Sequence, residues 1–563
     1  MIFEYERNFV FYIFYVMAYL ASVKLTAAKE AYLPSRYPRI FIFRATIMAM
    51  SSTVHPSRKE LKEVGIANST KTLADLPRPL SLPVIKTAWT WLLLGFPLGK
   101  RMLPLQAESI KKYGKIHLIE ISGVKAVQLS DPADVETVLR NEPKYPQRLN
   151  FPILEYYREK RKKKPGLFFA NGTVWHNYRS VMSKPMLRPV EVADYSSAFN
   201  EIVSAFCDRV RNIRERPGSE RENEVIGLDE ELFNWSFESV AEVVFDKRFG
   251  CLDAQVNEDS QAFKIAVGAF LEHFTASAFF PIWFVKIFEP TPVKKMFDNF
   301  DKMYDYAEMF IEKRLKELEE QGKMTPKERE SGGKVGFFEV LLSSGNLTKE
   351  DLLGSVIDIL FGGIDTTSNT MQWVIYMMAR NPDKQAILRR EVLSVLGDQK
   401  HASPDTIAQM PYLRAWVRET LRLYPPVTIL IRISNKDLIL SGYHIPAGTE
   451  LHLLPYQMSR DENVFEEPNA FRPERWLRGK KVSLQNSKVV EAKEVFSSLP
   501  FGFGRRMCIG RRIAELELHL LLARIVQQFE ISYPPDADDV EPFFRGLMIP
   551  DRPVRVKFVD RNK

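Results

Sequence analysis

The chain is 563 residues long, which could hold about four average domains or one large one. Its composition, 45% hydrophobic with 38 Phe and 27% charged residues, is too apolar for a disordered protein, and three widely separated cysteines exclude a disulfide framework or a cysteine-rich zinc module. The 79 Lys and Arg against 71 Asp and Glu give a net charge of +8, which suits an acidic protein, an anionic membrane or nucleic acid without choosing among them.

The amino terminus contains an uncharged run at residues 9–23, which is shorter than the roughly 20 residues that a helix needs to cross a bilayer. Basic residues dominate the next stretch, and this order would hold the following domain in the cytoplasm if the run were an anchor of the endoplasmic reticulum. The same stretch, up to about Pro56, also has the features of a cleavable organelle presequence. Translation from Met48 or Met50 is a third alternative, and all three stay open here.

A proline-rich segment at residues 75–83 cannot continue a helix and predicts a hinge before the folded body. We therefore expect a leader over residues 1–75 and one domain over residues 76–563, with no second core. Helical spacing of apolar residues predicts helices at 192–214, 292–321, 349–380, 412–424 and 511–528. Short alternating runs predict strands within 115–129 and 437–454. The predicted fold class is mainly α with small β-sheets.

Near the carboxyl end, residues 501–510 read Phe-Gly-Phe-Gly-Arg-Arg-Met-Cys-Ile-Gly. Gly504 and Gly510 would permit unusual dihedral angles and close backbone approach, so that Cys508 can meet a large flat group with amide N–H groups directed at its sulfur. A haem fits this need, because thiolate binds iron and passes electron density to a bound oxygen. A buried structural cysteine is the plain alternative. A nicotinamide-binding fingerprint fails, because Met507 occupies its third glycine position.

The same string matches Phe-x-x-Gly-x-Arg-x-Cys-x-Gly, and with it the chain resembles the cytochrome P-450 superfamily from about Asp75 to Val559. The resemblance implies the cytochrome P-450 fold as a single large haem domain. It implies haem b as the cofactor, Cys508 as the axial ligand of the iron, and Phe501, Gly504 and Gly510 as haem-binding residues.

Glu419 and Arg422 lie one turn apart in a predicted helix and would face the same side. The resemblance implies that this Glu-x-x-Arg pair is buried and joined by Arg475 of the segment Pro-Glu-Arg. A buried ionic cluster is weak evidence for net stability, but it can fix one geometry. We therefore predict a structural role, in which Glu419, Arg422 and Arg475 position the loop that ends in Cys508.

The longest predicted helix has an unusual middle, Gly-Gly-Ile-Asp-Thr-Thr-Ser at residues 362–368. Two glycines cost a helix interior about 2 kcal/mol, and Asp, Thr and Ser compete for its backbone hydrogen bonds. The resemblance implies a bent helix across the haem face opposite the thiolate. Asp365 and Thr366 would then be the acid and alcohol that deliver protons to dioxygen, with space for it left by Gly362 and Gly363. A notch for helix packing is the alternative.

The two propionates of a haem need cationic or hydrogen-bonding partners if they are buried. Trp175 and Arg179 lie one turn apart in a Trp-x-x-x-Arg pattern, which the resemblance assigns to propionate binding. Arg506 of the Cys508 loop and Arg432, in the strand after two prolines, match further propionate contacts. An arginine that faces solvent is the alternative for each, most readily for Arg432.

Only 563 − 508 = 55 residues follow Cys508, too few for a flavin domain, so electrons must come from another protein. The text around residues 233–252, 471–477 and 508–522 resembles the mitochondrial steroid and vitamin D hydroxylases of animals, especially the 24-hydroxylase type. That resemblance implies an acidic ferredoxin of the adrenodoxin kind as donor. It maps the docking site onto Arg414 and Arg418, with Arg511 and Arg512 as an extension, unless these only form a solvated basic face.

The resemblance thus predicts a haem-thiolate monooxygenase that inserts one oxygen atom into an apolar, sterol- or secosteroid-like molecule. The enzyme would lie peripherally on the mitochondrial inner membrane, with membrane surface, ferredoxin and substrate as partners and no nucleic acid. The alternatives are a microsomal hydroxylase with a flavoprotein reductase in the endoplasmic reticulum membrane, a haem-thiolate protein without monooxygenase activity, and a helical scaffold. Candidate pocket segments are 149–154, 270–284 and 426–431. Residues 480–493 resemble an insertion without an assigned role.

Overall fold

The structure is a computed structural model of the whole chain, and it describes residues 71–79, 98–121, 124–148, 151–215, 222–253, 258–277, 280, 282–320, 337–343, 345, 347–477 and 495–561. The apolar run at 9–23, most of the leader and the segment 480–493 lie outside these residues. Among the described residues, no helix combines the length and the apolar character that crossing a bilayer requires.

Helices make up most of the fold, as predicted. In chain order they are α1 (Leu98–Tyr113), α2 (Pro132–Arg140), α3 (Pro152–Arg161), α4 (Gly172–Leu187), α5 (Pro189–Ala193), α6 (Ser196–Arg214), α7 (Leu228–Phe245), α8 (Glu258–Ser277), α9 (Ile282–Phe288), α10 (Thr291–Glu320), α11 (Phe337–Ser343), α12 (Lys349–Arg380), α13 (Pro382–Leu396), α14 (Pro404–Ala408), α15 (Pro411–Leu423), α16 (Pro455–Met458) and α17 (Arg511–Gln528). Short 3-10 helices cover Leu73–Asp75 and Pro473–Trp476.

The strands form small sheets. They are β1 (Lys71–Thr72), β2 (Ile116–Ile121), β3 (Val124–Leu129), β4 (Leu430–Ile433), β5 (Leu438–Leu440), β6 (Tyr443–Ile445), β7 (Glu450–Leu453), β8 (Phe529–Ser532), β9 (Pro542–Arg545), β10 (Leu547–Pro550) and β11 (Lys557–Asp560). One sheet has the order β2-β3-β7-β4, in which only β3 and β7 are parallel, and a second has the order β1-β6-β5. The antiparallel pair β8–β11 and the antiparallel hairpin β9–β10 complete the set.

Helix α12 forms the centre of the large core, and α7, α10, α15 and α17 pack around it. It begins at a capping box, in which Thr348 and Asp351 satisfy each other's backbone N–H groups, and its bounds equal the predicted ones. Helix α15 ends before Pro425 and Pro426, which cannot continue it. Because α12 is buried along most of its length, the few residues in its middle that are not buried are candidates for a functional site.

Two expectations need correction. The predicted helix 192–214 is divided into α5 and α6, which meet at Asp194 and Tyr195. The predicted leader boundary is shifted, because β1 pairs with β6 and Leu76 is buried, so the body already includes residues 71–75. A second, smaller apolar cluster lies against the sheet β2-β3-β7-β4, within the single expected domain. It arises because the inward faces of the strands pack on α2 and the segment 496–503.

Candidate active site

The loop before α17 presents Cys508, and three backbone hydrogen bonds fix it. Gly502 donates to Leu499 O at 3.0 Å, Met507 to Gly504 O at 3.2 Å and Cys508 to Phe501 O at 2.8 Å. Gly504 has a φ of +78°, a conformation that side chains disfavour, and a Cβ built there would lie 2.6 Å from Glu142 Oε2. A glycine is therefore required at 504, as the sequence predicts.

The unusual dihedral angle expected at Gly510 is not found. This residue has a φ of −83°, and an added Cβ would meet no described atom within 4 Å. Its backbone N–H donates to the sulfur of Cys508, an interaction that any residue except proline could supply. Gly510 thus contributes to the site through its amide and not through conformational freedom.

The Cys508 side chain is accessible, whereas Cys207 and Cys251 are buried in the core. Protein atoms nevertheless surround the Cys508 sulfur closely. This burial raises the pKa of the thiol, although the Gly510 N–H and then Arg179, Arg148 and Arg511 act to lower it. A sulfur in this position becomes a stable thiolate when a metal cation neutralises it. The other two thiols lie in the core, and burial raises the pKa of Cys207 to about 12.

Four arginines, which we call the arginine cluster, lie close to one another beside the Cys508 loop, and charges within the group act on the pKa of Arg148 and of Arg506. They are Arg148, Arg179, Arg432 and Arg506. Burial, reinforced by repulsion from its neighbours, lowers the pKa of Arg506 to about 8 and that of Arg148 to about 9. Burial also lowers the pKa of Arg179. The cluster therefore carries an excess of positive charge.

Arg506 and Arg148 are held by neutral groups of the protein. Arg506 donates through Nε to Pro146 O at 3.0 Å, and through Nη2 to Ala170 O at 2.7 Å and to Asn171 Oδ1 at 2.8 Å. Arg148 Nη2 donates to Arg506 O at 2.7 Å. The guanidinium of Arg506 also lies 4.2 Å above the ring of the buried Trp175 on α4, one turn before Arg179.

The sequence did not predict two residues found here: Arg148, a member of the arginine cluster, and Glu142, which pairs with the cluster. Arg432 on β4 is buried and does not face solvent, which was the alternative for it. Its Nε donates to Glu142 Oε1 at 2.5 Å. Neither Arg148 nor Glu142 belongs to a periodic element, and their partners lie far away in the sequence. Only their position just before and within the Tyr-Pro-Gln-Arg stretch, at a break between helices, could have drawn attention to them.

The middle of α12 contains an accessible facet within an otherwise buried helix. Between Leu352 and Ala379 only four residues are not buried, namely Phe361, Gly362, Gly363 and Thr366. Asp365 lies beside the facet and is buried. Its Oδ1 accepts from Asn369 Nδ2 at 3.0 Å, and burial raises its pKa, although Arg545 and Asn369 oppose this shift. Thr366 Oγ1 donates to Gly362 O at 2.8 Å.

The two glycines of α12 have different roles, so the expectation that both leave space is half wrong. A Cβ on Gly363 would lie 2.8 Å from Val240 Cγ2 of α7, and Ser236 on the same helix donates to Gly363 O. Gly363 is thus the packing notch that was the alternative. Gly362 is exposed, and a Cβ there would meet nothing within 4 Å. Only Gly362 therefore opens space beside Thr366.

Aromatic rings connect the facet with the arginine cluster. Phe168, 42% exposed, lies 5.1 Å below the Arg148 guanidinium and 6.3 Å from the ring of Phe361. Asp358 of α12 holds this segment by accepting the N–H of Phe168 at 2.8 Å. The segments 149–154 and 270–284 meet here, and the rings in contact are those of Phe151, Phe168, Phe169, Phe270, Phe274 and Phe361. Leu149 lies outside the described residues.

The residues around Cys508 fit a haem. Four guanidinium groups accompany one carboxylate, so two buried propionates would offset charge that the protein leaves unbalanced. An accessible thiol with an amide N–H on its sulfur is a suitable iron ligand. Arg148, Arg179, Arg432, Arg506 and the indole of Trp175 are the groups that would hold the propionates.

The glutamate hub, defined as Glu419, Arg422 and Arg475, is assembled as predicted. Arg422 donates to both oxygens of Glu419 at 2.8 and 2.9 Å, and Arg475 Nε donates to Oε1 at 3.0 Å. Trp476 Nε1 also donates to Glu419, at 2.8 Å. The remaining donors of the hub reach the carbonyls of Ser459, Glu466, Glu467, Pro468 and Ala470. These carbonyls all precede the Cys508 loop in the chain.

The four arginines expected at the docking site are all exposed. Arg414 lies on α15 near the buried His519 of α17, whose pKa is lowered to about 3 by burial and then by Arg414. Arg512 is two turns before His519 on the same face of α17. Arg418 stacks 3.7 Å above the ring of Trp476, and Arg511 pairs with Glu515 at 3.0 Å. Arg418 therefore also supports the hub.

Comparison with known proteins agrees with this site. The family model for Cytochrome P450 matches residues 82–558. The human "25-hydroxyvitamin D-1 alpha hydroxylase, mitochondrial" is 34% identical over 87% of this chain and 93% of its own length. The rabbit (Oryctolagus cuniculus) "Sterol 26-hydroxylase, mitochondrial" is 33% identical over 82% and 84%, and zebrafish (Danio rerio) "Cytochrome P450 27C1" is 33% identical over 89% of each chain.

The expected resemblance to the 24-hydroxylase type in particular stays a prediction, whereas mitochondrial hydroxylases are among the relatives found. The matched residues include the Cys508 loop, the arginine cluster, the glutamate hub and the facet of α12. The chain belongs to the cytochrome P450 family and is a haem-dependent monooxygenase with the cytochrome P450 fold.

Proposed function

We propose that this enzyme hydroxylates a sterol- or secosteroid-like lipid with electrons from a ferredoxin. The observation that carries the proposal is the accessible Cys508 thiol among four arginines, linked by aromatic rings to the only accessible facet of α12. A haem bound there supplies dioxygen activation and oxygen insertion. The relatives named as vitamin D and sterol hydroxylases support a substrate of this class.

Each residue named for the site has a defined role in this proposal. The Gly510 N–H keeps electron density on the Cys508 sulfur, and the arginine cluster orients the cofactor through its carboxylates. Burial raises the pKa of Asp365 and so favours proton binding by this carboxyl group, while Asn369 donates to Oδ1 and leaves Oδ2 available for proton exchange. The Thr366 hydroxyl, beside the open space at Gly362, passes protons towards the oxygen site. The packed aromatic rings exclude water.

A substitution on α12 tests this relay. Thr366→Ala should consume reductant at a similar rate but release peroxide, with product per electron lowered about tenfold. Thr370→Ala is the matched control, because its hydroxyl makes the same bond to the carbonyl four residues earlier, Thr366 O at 2.8 Å. Equal product yield per electron in the Thr366 and Thr370 variants would exclude Thr366 from the relay.

A flat apolar substrate suits the aromatic surface near the facet. Rings of Phe151, Phe169, Phe274 and Phe361 are only partly buried and stand edge to face or tilted, an arrangement that accepts a rigid ring system. Phe361→Ala should raise the spectral dissociation constant for a sterol ligand about tenfold, since a large ring contact is lost. Leu342→Ala, which removes an exposed side chain of α11, should leave it unchanged.

An acidic ferredoxin suits the surface formed by α15 and α17, where Arg414 and Arg512 are exposed. Reversal of charge in Arg414→Glu should raise the apparent Michaelis constant for ferredoxin several-fold at low salt and less at high salt. Lys125→Glu, an equal change on β3, is the control. Arg418 is a poorer probe, because its stacking on Trp476 connects it to the hub. Equal turnover with a microsomal flavoprotein reductase would instead support the microsomal alternative.

Peripheral attachment to the mitochondrial inner membrane suits α9. Trp283, Ile287 and Phe288 are 62%, 67% and 59% exposed, and Lys286 is exposed on the same helix, a combination typical of segments that enter a lipid headgroup layer. Ile287→Ser should lower co-sedimentation with cardiolipin-containing vesicles several-fold. Val190→Ser, which removes an even more exposed aliphatic side chain elsewhere, should not. Equal sedimentation of both variants and the parent would exclude α9 as the attachment site.

The overall proposal is tested by product analysis. The protein is combined with a mitochondrial-type ferredoxin, its flavoprotein reductase, NADPH and a panel of sterols and secosteroids under ¹⁸O₂. A product carrying one ¹⁸O atom is expected from at least one such lipid. Turnover confined to fatty acids or xenobiotics, or supported only by a microsomal reductase, would overturn the substrate class or the donor respectively.

A further inference from the structure

One carboxylate lies within the arginine cluster, and the proposed reaction gives it no task. Glu142 follows α2 and accepts the Nε–H of Arg432 through Oε1. Its other oxygen, Oε2, is buried and makes no hydrogen bond to any described residue. The side chains of Glu142 and Arg432 are only 7% and 4% exposed. Because a buried oxygen without a donor is costly, the ion pair alone does not account for this geometry.

The free oxygen of Glu142 rests against the loop of the iron ligand. A Cβ on Gly504 would lie 2.6 Å from Oε2 and 3.7 Å from Leu139 O, so the carboxylate touches the backbone of the loop four residues before Cys508. The contact joins α2, the Arg432 strand and the ligand loop. The carboxylate of Glu142 is thus held beside the cofactor site with little contact with solvent.

The charge of Glu142 also acts on the rest of the cluster. It favours the charged forms of Arg148 and Arg506, against burial and against repulsion between the guanidiniums. Four cations close to the iron would by themselves favour the addition of an electron to it. One carboxylate in the same low-dielectric region opposes that addition, and its effect is large because little water screens it.

We propose that Glu142 is a positioning and charge-balancing residue that keeps the reduction potential of the haem iron low. The carboxylate acts from the second row of residues, through Arg432 and the Gly504 backbone, and touches neither substrate nor iron. The proposal goes beyond the hydroxylase function, because it requires only a bound haem and neither a sterol nor a ferredoxin. The competing explanation is an ion pair that only stabilises the fold.

The midpoint potential of the haem-loaded protein distinguishes the two. Glu142→Gln keeps the shape of the side chain and an oxygen for the Nε–H of Arg432 but removes the negative charge. The midpoint potential should therefore become more positive, which corresponds to an increase of roughly threefold or more in the one-electron reduction constant. Glu136→Gln removes an equal charge from a partly exposed position on α2, where Glu136 pairs with Arg140, and should leave the potential unchanged. Equal potentials in parent, Glu142→Gln and Glu136→Gln would overturn the proposal.

If Glu142→Gln does not bind haem, a second variant tests the proposal. Glu142→Asp keeps the charge but withdraws it from Gly504 by one methylene group, so the potential should move in the same direction by a smaller amount. A potential equal to that of the parent would then contradict the proposal. A purely stabilising ion pair predicts a lower melting temperature in both variants with no change of potential. These outcomes do not depend on substrate turnover, so failure of the hydroxylase proposal is separable from failure of this one.

Discussion

This protein contains two clusters of glutamate and arginine, and they differ in how completely the charges within each cluster are paired. In the glutamate hub, one carboxylate faces two guanidiniums and an indole, and backbone carbonyls accept the remaining donors. In the arginine cluster, four guanidiniums accompany one carboxylate, and the partners of Arg506 and Arg148 are neutral oxygens.

The charges respond accordingly. Burial acts to raise the pKa of Glu419, but Arg422 and Arg475 outweigh it, and the pKa is lowered overall. Burial and mutual repulsion lower the pKa of Arg148 and Arg506 instead. The carboxylate of the hub is paired within the protein, whereas the arginine cluster carries positive charge that an anionic ligand would offset. This difference in the ratio of arginine to glutamate supports the different roles that we propose for the two clusters.

The largest effect should follow from breaking the hub. Arg422→Ala leaves Glu419 buried with fewer partners, which costs about 3–5 kcal/mol and should abolish haem retention. The measurement is haem content per soluble protein. Arg472→Ala is the control, because the side chain of Arg472 pairs with the exposed Glu467 and only its backbone meets Glu419. Full haem content in the Arg422 variant would remove the structural role of the hub.

Substitution in the arginine cluster should weaken haem binding less than substitution in the hub does. It should also leave the haem-free protein as stable as the parent or more stable. Arg148→Gln removes a repelled buried charge, so the haem-free protein should melt at the same or a higher temperature. The rate of haem transfer to an acceptor protein should rise about tenfold, since one charged hydrogen bond is lost. Arg140→Gln, at an exposed position, is the control. A less stable haem-free protein with unchanged haem transfer would show that Arg148 is structural like the hub.

Chemical change of the cofactor sharpens the same comparison. Haem dimethyl ester lacks the two anionic carboxylates, and the parent protein should therefore bind it several-fold more weakly than haem. In Arg148→Gln this preference should shrink, whereas in Arg472→Ala it should persist. If the parent bound both forms equally, the excess charge of the cluster would need another ligand.

The smallest effect concerns a third buried acid, Asp358. Among the described residues, Arg158 is the one cation that acts to lower its pKa. Burial raises its pKa to about 7. A group with a raised folded pKa binds more protons in the folded state, so it costs stability as pH rises from about 4 to about 7. Asp358→Asn should therefore melt higher than the parent at pH 8, by an amount that decreases at pH 5. A larger gain at pH 5 would contradict the shift.

The helices could be predicted because their signals are local. The bounds of α12 and α17 equal the predicted ones, since periodicity, capping residues and prolines lie within each segment. Motif residues such as Cys508 and Glu419 were found for the same reason. Glu142 and Arg148 were missed because their contacts, to Arg432 and Arg506, span about 300 residues and leave no local pattern.

The glycines teach a related lesson. A glycine in the sequence states that a side chain is absent but not which neighbour requires the absence. Gly504 and Gly363 make room for Glu142 and Val240, and both neighbours come from other elements. Gly510 and Gly362 have open space on the side of a Cβ. Only the tertiary structure separates these cases.

The ligation of haem iron by the Cys508 thiolate is the central claim, and the absorption spectrum of the reduced protein under carbon monoxide tests it most directly. The parent should give the strongly red-shifted Soret band of a thiolate-ligated haem, and Cys508→Ser should lose that band while Cys251→Ser keeps it. A parent protein that binds haem without the shift, or a Cys508→Ser protein that retains it, would contradict the account.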